Sequence, residues 1–365
     1  MLLLRKAGAC PQRVAHRRLR MVEGRTKPSI TWYKSPISRE QMRELTQRSD
    51  LKGLAHAGTF LLIYLTTTAT ALYFFLNEMW VAMVIAAYVH SMFTGFVGMG
   101  AAVHELSHGT AFKSRRLNNF FYKTFAFLTW NSVYHFKESH TRHHLYTGFM
   151  EHDKEIPPEP IGIKWWQVIG WFTFDFTQFK MIVWTNIQHA LGNTDVDFFF
   201  WCPLLSKDDI KTQKLISWSR FVILGHLALM AVFIYFRLWI LIYTVNFGYF
   251  FALWLVHGCE IQQHMGLGRN VPDWRIIAYT ADFGPIMSFL YWNMNYHIEH
   301  HMYAAVPFYN LPKLHKALEP DLPLPIKGYW RGLVHILKMK LRQRKDPSYR
   351  YMPEFPPTAN PPLLA

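Results

Sequence analysis

Two long uncharged stretches stand back to back in the first third of the chain. Residues 54–76 carry no Asp, Glu, Lys or Arg over 23 positions, and residues 79–103 carry none either. As a helix the first would run about 34 Å, enough to cross a hydrocarbon core of about 30 Å. Only Asn77 and Glu78 separate the two, so the pattern predicts a tight transmembrane hairpin. A second hairpin is predicted over residues 215–256, with its arms meeting at Arg237 and the Arg220 side chain reaching the interface along its own stem. Segments 164–191 and 276–292 are apolar but interrupted by Asp175, Lys180 and Asp282. Their tryptophans (Trp165, Trp166, Trp171, Trp184, Trp292) suit helices lying in a membrane interface.

Four spans would return the chain twice to its starting side. The N-terminal segment and residues 104–214 and 257–365 then share one face, and all but two of the 39 Lys and Arg, Arg220 and Arg237, fall on it. Basic flanks mark the cytosolic side, so the polar portion and both termini are expected there. The expectation is an all-α integral membrane protein with four transmembrane helices in two hairpins. Its units would be a basic cytosolic segment at 1–52, a membrane core at 53–320 and a basic, proline-rich tail at 321–365. From Pro353 onward that tail reads as a disordered or surface-lying end.

Composition agrees with a membrane setting. The chain is 51% hydrophobic and 17% aromatic with only 17% charged residues, where soluble domains carry roughly a quarter charged. The net charge of +15 raises nucleic acid as a partner, but no basic run is joined to a nucleic-acid motif, and none is expected to bind. Cys10, Cys202 and Cys259 form no CxxC pair, so neither a disulfide framework nor a thiolate metal site is implied. The first twenty residues hold six Lys and Arg, no acid and no long apolar run. That argues against a secretory signal and leaves a transit peptide, or translation from Met21 in place of Met1.

The chemistry lies in the histidines. Of nineteen, His104 and His108 stand one helical turn apart. His140, His143 and His144 stand at i, i+3 and i+4, and His297, His300 and His301 repeat that spacing. His264 follows the fourth predicted span. One helix can present such neighbours to a shared centre, and imidazole suits iron, copper and zinc. A lone HxxxH arises easily by chance, but two HxxHH boxes beside it, all at span ends, make a metal site the better reading. Nine imidazoles exceed what one metal uses, so two metals are expected.

The boxes, their order and the four-span layout resemble the membrane fatty-acid desaturase and hydroxylase superfamily over about residues 50–320. The resemblance implies a cytosolic helical cap holding a di-iron centre above an acyl-chain tunnel, with O2 as co-substrate. Carried over position by position, the iron ligands would be His104, His108, His140, His143, His144, His264, His297, His300 and His301. The wording around the boxes, HELSHGTAF from His104 and YHIEHHMY from Tyr296, is most similar to a bacterial branch. That branch includes free-fatty-acid desaturases and alkene-forming fatty-acid decarboxylases.

Three departures matter. The first box is HxxxH where acyl-CoA desaturases have HxxxxH. Glu260 stands four residues before His264, where those enzymes carry an asparagine that reaches the metal through water. A carboxylate there could ligate iron, accept a proton or orient a histidine; the plainer alternative is a buried acid paired with a histidine. The third box begins with His297, not the glutamine of desaturases fused to cytochrome b5, and no HPGG stretch occurs. The electron donor is therefore expected to be a separate protein of ferredoxin, rubredoxin or cytochrome b5 type.

Other residues carry weaker readings. Asn293, four before His297, could bond a ligand or a metal-bound water. His257 shares a helical face with Glu260 and reads equally as a support to the site or as a satisfied buried histidine. His90 and His226 lie within spans, and His135, His152 and His189 match no box. Asp153 and Glu155 read as a surface loop, and residues 338–345 as a solvated or phospholipid-facing helix.

The functional expectation is an O2-dependent oxidase acting on a fatty-acyl or lipid-like chain, with desaturation as the default outcome. Hydroxylation, or decarboxylation of a free acid to a terminal alkene, would need the same ligands. A zinc-containing membrane hydrolase or receptor is the alternative of a different class, disfavoured by nine ligands and the lack of HExxH. A metal transporter would place its ligands inside the spans.

Overall fold

The computed structural model describes residues 29–157, 160–194, 205 and 209–364. The start-site question at Met1 and Met21, Cys10 and Cys202 lie outside the described residues. A short helix, α1 (Arg39–Leu45), opens with the Ser38–Gln41 capping box. The predicted first hairpin follows as α2 (Asp50–Leu76), N-capped by Ser49, and α3 (Trp80–Val97). The chain reverses at Glu78, with φ at 56°. Beyond a break at Gly98–Ala101 the direction resumes as α4 (Ala102–His108), which carries the first histidine box.

Among the described residues, three helical stretches are long and apolar enough to cross a membrane: Asp50–Leu76, Trp80–His108 and Ile210–Tyr235. Their outward faces are apolar, with Leu62 63% and Val81 76% exposed. Such faces fit a bilayer as solvent rather than water.

The fourth predicted span takes another form. After α9 (Ile210–Tyr235) the chain turns at Arg237, again with positive φ, and returns through Trp239–Phe250, a 12-residue apolar segment. That return is a single α-turn, a π-helical stretch at Ile242–Phe247 and a 3-10 turn at Gly248–Phe250. Widened turns free backbone carbonyls, which at membrane depth need partners from the protein. His90 Nε2 lies 3.0 Å from the Thr244 carbonyl, and Trp130 Nε1 donates to that of Asn246 at 2.6 Å. Asn246 also bonds His226, whose other ring nitrogen reaches the Phe127 carbonyl. His90 and His226 are therefore satisfied packing residues that hold an irregular strand of backbone.

Between the two hairpins lie α5 (Arg115–Leu128), α6 (Val133–Tyr146) with the second box, α7 (Trp165–Phe172) and α8 (Phe176–Ala190). The expected interface character belongs to α7, which buries no residue and exposes Trp165, Trp166, Ile169 and Phe172. Helix α10 (Trp254–His264) ends on His264. Next come α11 (Gly284–Leu290), α12 (His297–Met302) with the third box, α13 (Leu311–Leu318) and α14 (Tyr329–Lys345). A minimal parallel pair, β1 (Ala281–Asp282) with β2 (Ile326–Lys327), ties the loop before the third box to the segment before α14.

Helices α10 and α14 touch through glycines. A Cβ on Gly258 would fall 1.9 Å from Tyr329 Oη, and one on Gly332 would fall 1.5 Å from Gln262 Oε1. That close crossing sets the height of His264.

The tail, expected to be loose, is strapped to the fold. Arg275 is wholly buried, bonds Asp273 and Asp321, and donates to the Asn360 and Pro361 carbonyls. Its guanidinium lies 3.7 Å from the Tyr33 ring centroid, and Trp32 stacks on Trp274 at 4.2 Å. The described N-terminal strand and the tail thus meet over one buried cation. Removing one partner of a buried ion pair costs about 3–5 kcal/mol. Arg275→Met is therefore expected to lower the thermal unfolding temperature of the detergent-solubilised protein by several degrees; an unchanged melt would show that the clasp contributes little.

Candidate metal centre

Each box is a helical segment, and helical geometry decides where its histidines go. Residues four apart lie on nearly the same face, while the residue three along is turned aside. In α6, His140 and His144 enter one group and His143 enters another; in α12, His297 and His301 stay together and His300 crosses over. The result is two clusters. His104, His108, His140, His144 and His300 form the first; His143, His264, His297 and His301 form the second. Within each, the potential ligand atoms lie within 4.8 Å of one another.

The inward nitrogens nearly touch. His104 and His300 Nε2 are 3.1 Å apart, His108 and His140 3.1 Å, and His140 and His144 3.0 Å. In the second cluster His264 and His297 Nε2 approach to 2.8 Å, and His297 and His301 to 3.0 Å.

Four of the outer nitrogens have partners. His140 Nδ1 donates to Glu155 at 3.0 Å, with Ser139 Oγ bonded to the other carboxylate oxygen. His143 Nδ1 lies 3.1 Å from both Asp153 oxygens. His264 Nδ1 donates to the Ile277 carbonyl at 2.8 Å, and Thr147 Oγ1 reaches His301 Nδ1 at 3.2 Å. Glu105 Oε1 stands 3.1 Å from His300 Nδ1 without the alignment of a hydrogen bond. In neutral His140, His143 and His264 the outer acceptor draws the ring proton outward and leaves the inward nitrogen as a lone pair. Lone pairs facing one another inside a protein are unfavourable unless a cation lies between them. The donors are all imidazole, which fits a transition metal and not calcium or magnesium.

Electrostatics favours neutral, metal-ready rings. Burial pushes His144, His297, His300 and His301 well below the usual histidine value and takes His264 to about 3. His143 departs: burial lowers it, but the Asp153 carboxylate outweighs burial and leaves it raised.

Asp153 and Glu155, read from sequence as a surface loop, are corrected by this geometry. Asp153 is buried, and both carboxylates orient box histidines. The loop after α6 folds back over its own helix, which no periodicity in the sequence reveals. Asn293 does not reach the clusters. It holds a turn with φ at 56° and donates Nδ2 to the Phe308 carbonyl. Glu260 is not a member of either cluster; its Oε2 accepts from His257 Nδ1 at 2.7 Å, and His257 Nε2 donates to Asp175 at 3.0 Å. Burial lowers His257, but Glu260 and Asp175 raise it to about 9. Asp175 was missed in the sequence, where it registered only as a break in an apolar run. Glu299 within the third box turns away, bonding Thr280 and His315.

A cavity of about 490 Å³ opens on both clusters. It is lined by His104 and His140 from the first, His143, His264 and His297 from the second, and by Glu260, His257 and Asp175. Phe136, Ile161, Trp171 and Met181 give it apolar wall.

Known proteins share this chain's pattern. Residues 78–332 match the family model described as fatty acid desaturase. The chain is 28% identical over 246 residues to the sphingolipid delta(4)-desaturase DES1 of Xenopus tropicalis, covering 64% of this chain and 65% of that protein. To the sphingolipid delta(4)-desaturase/C4-monooxygenase DES2 of Homo sapiens it is 25% identical, over 59% of each chain. To the delta(6)-fatty-acid desaturase fat-3 of Caenorhabditis elegans it is 23% identical, over 68% of this chain and 61% of the other. The match to the Xenopus protein thus spans just under two thirds of that protein's length.

Two measurements test the centre. Loss of an outer partner typically costs 10–100-fold in metal affinity, so Asp153→Asn is expected to weaken metal retention about that much in a chelator competition; unchanged retention would refute the orienting role. Metal-free protein should also lose stability as pH falls from about 6.5 towards 3, because the unfolded histidines bind protons there and the buried ones do not. His143, His257 and His315 are raised, so their contribution changes above about 6.5 and is constant through this window. Thermal melts of chelator-treated protein between pH 7 and pH 4 would show it, and a melt that rises on acidification would contradict it.

Proposed function

The chain belongs to the fatty acid desaturase family, and from that premise we propose that it is an O2-dependent di-iron oxidase that desaturates a fatty-acyl or lipid-like chain. The observation that carries the reading is the division of nine histidines into clusters of five and four around one cavity. His104, His108, His140, His144 and His300 would hold one iron, and His143, His264, His297 and His301 the other. Two irons so held supply the O2 activation needed to cleave an unactivated C–H bond.

The protein's own part is placement. An alkyl chain in the cavity passes both clusters, between walls that include Phe136, Ile161 and Met181 and keep water away. Asp153, Glu155 and the Ile277 carbonyl fix the ring orientations. Glu260 takes a site role through its place on the cavity wall. Asn293 acts as a positioning residue, shaping the turn that leads into His297.

The membrane arrangement belongs to the same proposal. The Trp239–Phe250 segment completes a fourth crossing by packing its irregular backbone among the long helices. The cap and both termini then face the cytosol, following the distribution of Lys and Arg. The electron donor is a separate small protein of ferredoxin, rubredoxin or cytochrome b5 type, for which a basic cytosolic face is complementary to an acidic carrier. The name of the human relative joins a desaturase to a C4-monooxygenase, which makes hydroxylation the second reading.

Lipid and headspace profiling under 18O2 tests the outcome. A new double bond without label is expected; a labelled alcohol would select hydroxylation, and a volatile terminal alkene with CO2 would select decarboxylation of a free acid. Metal analysis should find about two irons per chain, and zinc alone would sink the reading. His300→Ala and His143→Ala, one from each cluster, are expected to abolish turnover with membrane insertion intact; full activity in either would overturn the ligand assignment.

A further inference from the structure

The cavity that opens on the two clusters carries a second piece of chemistry. Among the described residues it is lined by three carboxylates, Glu155, Asp175 and Glu260, and by no lysine or arginine. One positive group on the wall is His257, which Glu260 and Asp175 both bind.

The three carboxylates are not equally free. Both oxygens of Glu155 are engaged, one by His140 and one by Ser139. Asp175 caps α8 through the Gln178 amide and accepts from His257 with its other oxygen. Glu260 gives Oε2 to His257, while no hydrogen bond reaches its Oε1. Its side chain is 35% exposed, against 6% for Asp175 and 12% for Glu155. It is also held in place: His257 fixes it from one side, itself fixed by Asp175. On another side lies Gly100, where a Cβ would come within 2.5 Å of Oε1. Glu260 precedes His264 by one helical turn on α10, so the Cβ atoms of the two residues lie on the order of 6 Å apart.

A fixed carboxylate oxygen without a partner attracts a hydrogen-bond donor and repels an anion. We propose that Glu260 accepts a hydrogen bond from a hydroxyl or amide N–H carried by the substrate close to its reacting carbons. The substrate class is then an uncharged, donor-bearing lipid and not a free carboxylic acid or a coenzyme A thioester. This deepens the oxidase reading above and rests on it.

The test compares probes that share one saturated C18 chain: N-(2-hydroxyethyl)octadecanamide, octadecanoic acid and octadecanoyl-coenzyme A. Equilibrium binding is measured on the metal-loaded protein in detergent without reductant, so that no turnover occurs. The amide alcohol should bind at least about tenfold tighter than the acid, and Glu260→Gln should erase that advantage, as expected for one hydrogen bond to a charged acceptor. Gly100→Ala, which displaces Glu260 without altering its charge, should weaken the same probe. Iron content should stay at the wild-type level in both variants, and with reductant Glu260→Gln should raise KM for the amide alcohol while changing kcat little. Equal binding of amide alcohol and acid, a Glu260→Gln variant that binds like wild type, or loss of iron in that variant would each overturn the proposal. Wild-type protein that discriminates the probes but oxidises none of them would leave this inference standing and sink the oxidase reading; oxidation of acid and thioester as readily as the amide alcohol would do the reverse.

Discussion

Eight imidazoles whose inward nitrogens approach to 2.8–3.1 Å, with His143 beside them, make an assembly that a metal-free protein has every electrostatic reason to open. Each ring has to be neutral to ligate, burial favours that state, and for His140, His143 and His264 an acceptor behind the ring holds its orientation. These demands run through the whole molecule. They explain buried carboxylates that no water solvates, a loop folded back over the helix it leaves, and a helix that ends where His264 must stand. Metal binding and folding are therefore linked: whatever holds the rings together also holds α4, α6, α10 and α12 together.

The membrane portion meets a different demand, the satisfaction of backbone polar groups away from water. Two hairpins turn at single residues with positive φ, Glu78 and Arg237. One return arm is irregular, and two of its carbonyls, those of Thr244 and Asn246, are met by His90 and Trp130. Histidine thus has two unrelated uses in this chain. In the boxes it presents lone pairs to a centre, and among the spans it satisfies carbonyls.

Much of this was legible in the sequence, because the signals are periodic. Uninterrupted apolar runs gave the long helices, and i, i+3, i+4 spacing gave the box histidines and the need for two centres. The allotment of His143 and His300 to the cluster opposite their box-mates follows from the same helical angle, once the helices are placed. What sequence could not carry depends on the chain folding back. Asp153 and Glu155 follow their partners by 10 and 15 residues through a loop with no repeat. Asp175 meets His257 across 82 residues. The Trp239–Phe250 segment has the composition of a span, and only its packing partners decide that it is not a regular helix. Asn293 stood at helical spacing from His297, but the backbone between them turns, and spacing along a helix has no meaning across a turn.

The clasp at Arg275 separates two kinds of boundary. The stretch that matches the family runs from residue 78 to residue 332, while the groups that enclose the guanidinium include Tyr33 and the carbonyls of Asn360 and Pro361. A chain trimmed to the shared stretch would keep every candidate ligand yet leave a charged group of its interior facing solvent, with α14 cut at the glycine where it crosses α10. The heritable unit of the chemistry and the physical unit of folding thus differ in extent.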